Sequence, residues 1–340
     1  MAKKSILTFD DYVNKNFGNE ILLTADKFID KHREILNTTL SLDIALSGGI
    51  PEGKVVLLSG RTKVGKTTLC LTLAANAQKE GRSVFYFDVE RRCDPSLLDT
   101  IDGLDKTKLT LVRSSCDNLL SAQSWLEILH RAILDNPRSL IIIDSLAALS
   151  TLIEQSEDVG STKDMAGVPK LLVSFFRKTI SAIDNNNCIL ICLSQLQSNR
   201  NPMGPKYSEK GGMAVQYACS VWISFDWVKK WKVESTAIAP AGHDIQATVK
   251  CSALGPPHLP AEIPLRYGYG IDKSRDVFIQ SENLGFIEKS GAWYKILDFE
   301  DTKLHGADAV IKFLNENPDK RDFLENKIRK LMIPCKEDNK

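Results

Sequence analysis

The sequence has almost no net charge. Its 44 Lys and Arg against 43 Asp and Glu leave +1 over 340 residues, which excludes the broad positive field of a strongly basic nucleic-acid-binding domain. Any site for a polyanion must therefore be local. It lacks a C-x-x-C pair, although it has eight cysteines; several lie in apolar runs such as Cys188-Ile189-Leu190-Ile191-Cys192, the pattern of reduced, buried thiols rather than of a disulfide or zinc framework. It lacks an apolar run near the ~20 residues of a membrane span, and Met1-Ala2-Lys3-Lys4-Ser5 has no apolar signal core. A soluble chain of the cytoplasm is expected. Internal repeats and low-complexity tracts are absent too.

What is there, at 43% hydrophobic residues, is enough for one large domain with appendages. Residues 8–36 mix charges with Phe9, Tyr12, Val13, Phe17, Ile21 and Leu22, amphipathic and helical in the first half but too little to fold alone. From about Asn37 strand-like runs alternate with helical stretches: 55–58, 83–88, 109–112, 140–144 and 188–193. That alternation predicts a parallel sheet flanked by helices. Three further β-rich stretches, 221–225, 245–251 and 262–267, have no helix between them and are expected to extend the sheet antiparallel. After Gly270, helical segments near 277–284, 306–316 and 320–331 surround a strand at 293–297, a small α/β appendage. The expected divisions are 1–36, a core of 37–269, and 270–340.

Gly60-Arg61-Thr62-Lys63-Val64-Gly65-Lys66-Thr67 fits G-x-x-x-x-G-K-[ST], follows an apolar strand and precedes the helical run that starts at Thr68. The glycines let backbone N–H groups and the helix start face a β-phosphate, Lys66 reaches the β/γ oxygens, and Thr67 offers a hydroxyl to Mg²⁺. Leu140-Ile141-Ile142-Ile143-Asp144 is an apolar strand ending in a carboxylate. Alone it is weak, since buried strands often end in a turn aspartate; with the loop it becomes the second Mg²⁺ position. Hydrolysis needs a group that orients water. Glu90, just past the strand at 83–88, has the right position at a strand's carboxyl end, and Asp88 competes.

With these residues in place the chain resembles the RecA recombinase family from about Phe9 to Leu331. The stretches that carry the likeness are Thr39–Leu46, the loop Gly60–Thr67, Phe87-Asp88-Val89-Glu90 with Asp94-Pro95, Ile143–Leu149, Ser194-Gln195, Gly211-Gly212 and Glu288–Tyr294. The resemblance implies a mixed, mainly parallel α/β ATPase core, an N-terminal oligomerisation element and a small C-terminal domain. It implies ATP and Mg²⁺ as ligands, Glu90 as the residue that positions water, Asp94 and Tyr267 near adenine, and Gln195 as the sensor of the γ-phosphate. Lys250 corresponds to the first of two lysines that reach a neighbouring subunit's phosphate; Ser252 stands where the second would be, and Leu97 where an aromatic stacks on the base. Weaker adenine selectivity is expected.

Two segments, 154–168 and 196–212, read as too polar and irregular for core. The resemblance makes them DNA-binding loops, with Met165 inserting between bases and with Lys170 and Arg177, on one helical face, holding phosphates. In the second loop Gln197, Met213 and Gln216 depart from the family, Arg200, Lys206 and Lys210 restore charge, and Gly211 and Gly212 let the main chain approach phosphate. The resemblance implies an acidic C-terminal tail, whereas residues 311–340 lean positive. These departures suit a divergent bacterial or bacteriophage member. The implied function is ATP-dependent filament formation on single-stranded DNA with homologous pairing and strand exchange. A hexameric helicase or motor and a nucleotide-regulated DNA-binding module that exchanges no strands remain open.

Overall fold

The computed structural model describes residues 8–18, 21–22, 24–25, 33–156, 167–198, 207–209, 213–232, 240–299 and 302–333. Met1–Glu34 is a unit of its own. In it Phe9–Phe17 forms α1, started by a capping box in which Thr8 Oγ1 accepts from Asp11 N at 3.2 Å and Thr8 N donates to Asp11 Oδ2 at 3.3 Å. Val13 is its one buried residue.

The unit Ile35–Lys340 runs in chain order β1 (Ile35–Leu36), α2 (Leu40–Leu46), β2 (Ile50–Pro51), β3 (Lys54–Gly60), α3 (Lys66–Lys79), β4 (Val84–Asp88), α4 (Pro95–Asp99), β5 (Leu109–Val112), α5 (Ala122–Asp135) and β6 (Leu140–Asp144). There follow α6 (Leu152–Ser156), α7 (Gly167–Asn185), β7 (Ile189–Ser198), β8 (Tyr207–Glu209), α8 (Met213–Ala218), β9 (Val221–Trp231), β10 (Gly242–Cys251), β11 (Pro260–Arg266) and β12 (Gly270–Ile271). The last part is α9 (Lys273–Asn283), β13 (Ile287–Ser290), β14 (Trp293–Ile296), β15 (Lys303–His305), α10 (Ala307–Glu316) and α11 (Pro318–Met332).

A ten-stranded sheet takes the order β12-β11-β10-β9-β3-β7-β6-β4-β5, with β8 beside β7. Its central strands carry continuous apolar runs, 55–58, 140–143 and 189–193, because both faces are covered. Val56 and Leu58 pack with α2 and α3 on one face, whereas Val55 and Leu57 pack with α5 and α7 on the other. The expected antiparallel extension begins one strand later than the sequence suggested. β9 runs parallel to β3, and of the three stretches expected to be antiparallel the first is not, whereas β10, β11 and the short β12 are. The reason is α8, which lies between β7 and β9 and gives the chain a crossover, so it re-enters the sheet in its original direction.

The polar stretch at 196–212 is also more regular at its ends than its composition implies. β7 runs on to Ser198, and β8 pairs back on it antiparallel, Leu196 opposite Glu209 and Ser198 opposite Tyr207. Likewise 154–168 is helical where described, ending α6 and beginning α7. Cys70, Cys93, Cys188 and Cys192 are buried free thiols. Among the described residues no helix is long and apolar enough to cross a membrane.

The small C-terminal sheet has the order β13-β14-β15, two strands more than the sequence rhythm revealed. Its core joins Val277, Tyr294, Ile296, Val310, Leu314, Leu324 and Ile328 to Leu40 of α2. Two buried carboxylates fasten this part to the core. Asp43 accepts from Thr38 N at 2.8 Å and Arg329 Nη1 at 2.6 Å. Asp276 Oδ2 accepts from Ser41 N and Ser41 Oγ, both at 3.2 Å, while its Oδ1 has no partner among the described residues. Burial pushes Asp276 up to about 7, against the pull of the Ser41 hydrogen bonds.

An unfolded aspartate titrates near pH ~3.9. From there to about 7 the folded chain holds a proton that the unfolded chain lacks, so stability falls as pH rises through that window. Asp276→Asn keeps an oxygen for Ser41 and removes the buried charge. Urea unfolding should show the variant more stable than wild type at pH 8, by about 1 kcal/mol or more, with a narrower gap at pH 5. A gap independent of pH would refute this account of Asp276.

Candidate nucleotide-binding site

The carboxyl ends of β3, β4, β6 and β7 meet on one edge of the sheet. Register aligns Gly60 with Gln195 and Asp88 with Asp144. The loop after β3 turns through left-handed conformations at Lys63 (φ 62°) and Gly65 (φ 100°). Gly65 must also be small, because a Cβ there would lie 2.6 Å from Leu265 Cδ1 and 2.7 Å from Ile245 Cδ1. Gly65 gives α3 no side-chain cap, so the first N–H groups of this helix point outward, the arrangement that suits a phosphate.

Lys66 Nζ donates to the carbonyls of Gly60 at 2.9 Å and Arg61 at 2.7 Å. Burial lowers its pKa to about 8, opposed by the nearby Asp144 and Glu90 carboxylates. Thr67 Oγ1 donates to Asp144 Oδ2 at 2.8 Å, and Tyr86 Oη donates to the same oxygen at 2.7 Å. Burial raises the Asp144 pKa against those two hydrogen bonds. A hydroxyl and a carboxylate oxygen in contact at the base of a phosphate loop form the hard donor set that Mg²⁺ takes, so the residues present fit a nucleotide-bound Mg²⁺.

Glu90 sits two residues beyond β4 with both oxygens engaged. Oε1 accepts from Gln195 Nε2 and from Ser145 Oγ, and Oε2 pairs with Arg92 Nε at 2.8 Å. Its rival Asp88 is fully buried and committed elsewhere, to Arg113, Arg92 N at 2.9 Å and Cys93 N at 3.1 Å. No face of that carboxylate is left for water.

A cleft of about 320 Å³ brings together Thr62, Lys63, Gly65, Lys66, Thr67, Thr68, Glu90, Asp144, Gln195 and Tyr267 of the residues named from the sequence, with Leu97. Arg92, Ser145, His243 and Leu265 line it as well. Val64 is buried beneath the loop, and Arg61 turns outward to Asp226 at 3.4 Å. His243 Nδ1 meets Tyr267 Oη at 3.0 Å; no local spacing announces this pair, which arises from adjacent antiparallel strands. Asp94 is not in the cleft lining. It is exposed and caps α4, accepting from Ser96 N at 2.8 Å and from Ser96 Oγ at 2.6 Å, and these bonds lower its pKa.

Lys250 is exposed and outside the cleft. It lies on β10 seven residues beyond His243, roughly 23 Å at strand rise, too far to serve the cleft of its own chain. Lys170 and Arg177 are both exposed on α7, two turns apart and hence on one face. Gln216 is half-buried on α8. Met165, Arg200, Lys206, Lys210, Gly211 and Gly212 lie outside the described residues.

Comparison with known proteins follows the same outline. Residues 5–272 match the RecA N-terminal domain and residues 279–333 the RecA C-terminal domain. The chain is 32% identical over 321 residues to "Protein RecA" of Streptomyces rimosus, covering 93% of this chain and 82% of that protein. It is 31% identical over 323 residues to "Protein RecA" of Cytophaga hutchinsonii, covering 94% and 88%. For "Protein RecA" of Mannheimia haemolytica the identity is 30% over 325 residues, covering 94% and 85%. Matched in both of its domains and aligned with these relatives over nearly all its length, the chain belongs to the RecA family.

Proposed function

We propose that this chain is an ATP-dependent DNA recombinase of the cytoplasm, which forms helical filaments on single-stranded DNA and exchanges strands with a homologous duplex. The observation that carries the reading is the hydrogen bond from Gln195 to Glu90. One end of it is the carboxylate beside the phosphate loop. The other belongs to β7, the strand that runs directly into residues 196–212. An amide can re-pair when the terminal phosphate leaves, so nucleotide state and the DNA-facing segment share one two-state element.

In this reading ATP lies on the loop Gly60–Thr68, with Tyr267 and Leu97 toward the base. Lys66 holds the β- and γ-phosphate oxygens, and Thr67 and Asp144 hold Mg²⁺, which when bound offsets charge on those oxygens. Glu90 accepts the proton of the attacking water and Gln195 reads the terminal phosphate. Lys250 of the next protomer supplies a cation in trans, so ATP lies between protomers and stabilises the polymer. Met165, Lys170, Arg177, Arg200, Lys206, Gly211 and Gly212 face DNA. Their contacts are to phosphate and stacked bases, so binding is salt-sensitive and nearly sequence-independent. Base pairing, not side chains, then reads homology. The expected divisions remain 1–36 for oligomerisation, 37–269 for the ATPase core and 270–340 for the C-terminal domain.

A joint-molecule assay between circular single strands and linear homologous duplex, paired with electron microscopy of protein, single strands, Mg²⁺ and an ATP analogue, tests this. Filaments and joint molecules are expected. Closed rings would assign the chain to a translocating motor, and DNA-stimulated ATPase without joint molecules to a regulatory module.

A further inference from the structure

We propose that Arg92 is a triphosphate sensor acting in cis: its guanidinium covers Glu90 while the terminal phosphate is absent and moves onto that phosphate when it arrives. The inference rests on the nucleotide reading given above and adds to it a residue that the phosphate-loop motif does not contain.

The backbone at Arg92 is held in place and its side chain is exposed. Arg92 N and Cys93 N donate to the two oxygens of Asp88, which is itself fully buried and held by Arg113. The Arg92 side chain is 54% exposed, and its Nε lies 2.8 Å from Glu90 Oε2. Its partner Glu90 is only 8% exposed, but Ser145 and Gln195 still donate to that carboxylate when the guanidinium swings away, so the exposed partner can leave without stranding a bare buried charge. With Ser145 and Gln195 on Oε1, the guanidinium takes the only carboxylate oxygen on which water could be received.

Arg92 also lines the same cleft as Lys63, Lys66 and Thr67. Cations gathered this way repel one another until an anion enters between them. A terminal phosphate carries about two negative charges against one on Glu90, and a guanidinium matches phosphate oxygens with two parallel hydrogen bonds. Transfer of Arg92 to that phosphate therefore strengthens its pairing and, in the same movement, uncovers Glu90 Oε2 for water. A diphosphate has no group at that place, so Glu90 stays covered.

Equilibrium binding of Mg²⁺–ADP and of a non-hydrolysable ATP analogue to wild type, Arg92→Ala and Arg92→Lys tests this without relying on turnover. For Arg92→Ala the analogue should bind roughly tenfold or more weakly. ADP affinity should stay within about twofold, which also certifies the fold. Arg92→Lys should recover part of the loss, keeping the charge without the planar fork. An analogue-to-ADP affinity ratio unchanged from wild type, or an equal loss of both ligands, would overturn the proposal and leave Arg92 a surface ion pair or a structural contact. Wild type that binds neither nucleotide would instead bring down the nucleotide reading itself, and the role of Arg92 with it.

Discussion

Glu90→Gln is expected to lower ATP turnover by on the order of 10² or more while the protein still binds ATP. The substitution is nearly isosteric, and its remaining oxygen can still accept from Ser145 and Gln195, as Oε1 does now. What disappears is the second oxygen, the one paired with Arg92. An amide NH₂ there cannot take a proton from water and repels the guanidinium. Asp88, two residues earlier, cannot replace it, because Arg113 and two backbone N–H groups already occupy its buried carboxylate. Steady-state ATPase with single-stranded DNA, alongside direct nucleotide binding, separates the two effects. Turnover within a few-fold of wild type would show that another group orients the water.

Arg329→Met should destabilise the folded chain by about 3–5 kcal/mol at pH 8, because it leaves a buried charge without its partner. That charge is Asp43, fully buried and 2.6 Å from Arg329 Nη1. Burial raises Asp43 to about 6 even though Arg329 and the Thr38 hydrogen bonds pull it down. Without the guanidinium burial acts with less opposition, and the folded-state pKa climbs further. Between the unfolded value near ~3.9 and the folded value the native chain carries the extra proton, so the penalty is complete above the folded pKa and shrinks as pH falls through it. Urea midpoints should therefore differ far more at pH 8 than at pH 5. Equal losses at the two pH values would mean that Arg329 acts through Glu325, its other partner at 2.8 Å, and not through Asp43. Asp43→Asn combined with Arg329→Met should recover much of the stability at pH 8.

That the phosphate loop, Asp144 and Glu90 lie at the carboxyl ends of neighbouring strands is legible because each is written locally, as an apolar run followed at once by a glycine turn or a carboxylate. The burial and pairing of Asp88 are not legible, since they depend on Arg113, which β5 brings alongside β4. The places of Arg92 and His243 in the cleft, and the contact of Ser145 with Glu90, are not legible for a similar reason: the cleft joins residues from or next to β4, β6 and β10, and no spacing in one strand reports the side chains of another. The direction of β9 was lost because α8, the helix that reverses the expectation, spans only Met213–Ala218, too short to display helical periodicity. Asp94 shows the reverse case. Asp94-Pro95 is a local helix-start signature, and in the chain as it stands the aspartate caps α4, a role that the resemblance to a base-contacting residue had hidden.

One strand, β10, has a consequence for any assembly of these chains. It carries His243 beside its own phosphate loop at one end and exposed Lys250 at the other, and it is hydrogen-bonded on both sides by β9 and β11. Held like a strut in the middle of a sheet, it cannot shorten or pivot alone. If Lys250 touches the next protomer's nucleotide, the spacing between successive catalytic centres is built into a rigid length of backbone, and loss of a phosphate at one joint is felt as a tilt of whole neighbours, not as a local rearrangement.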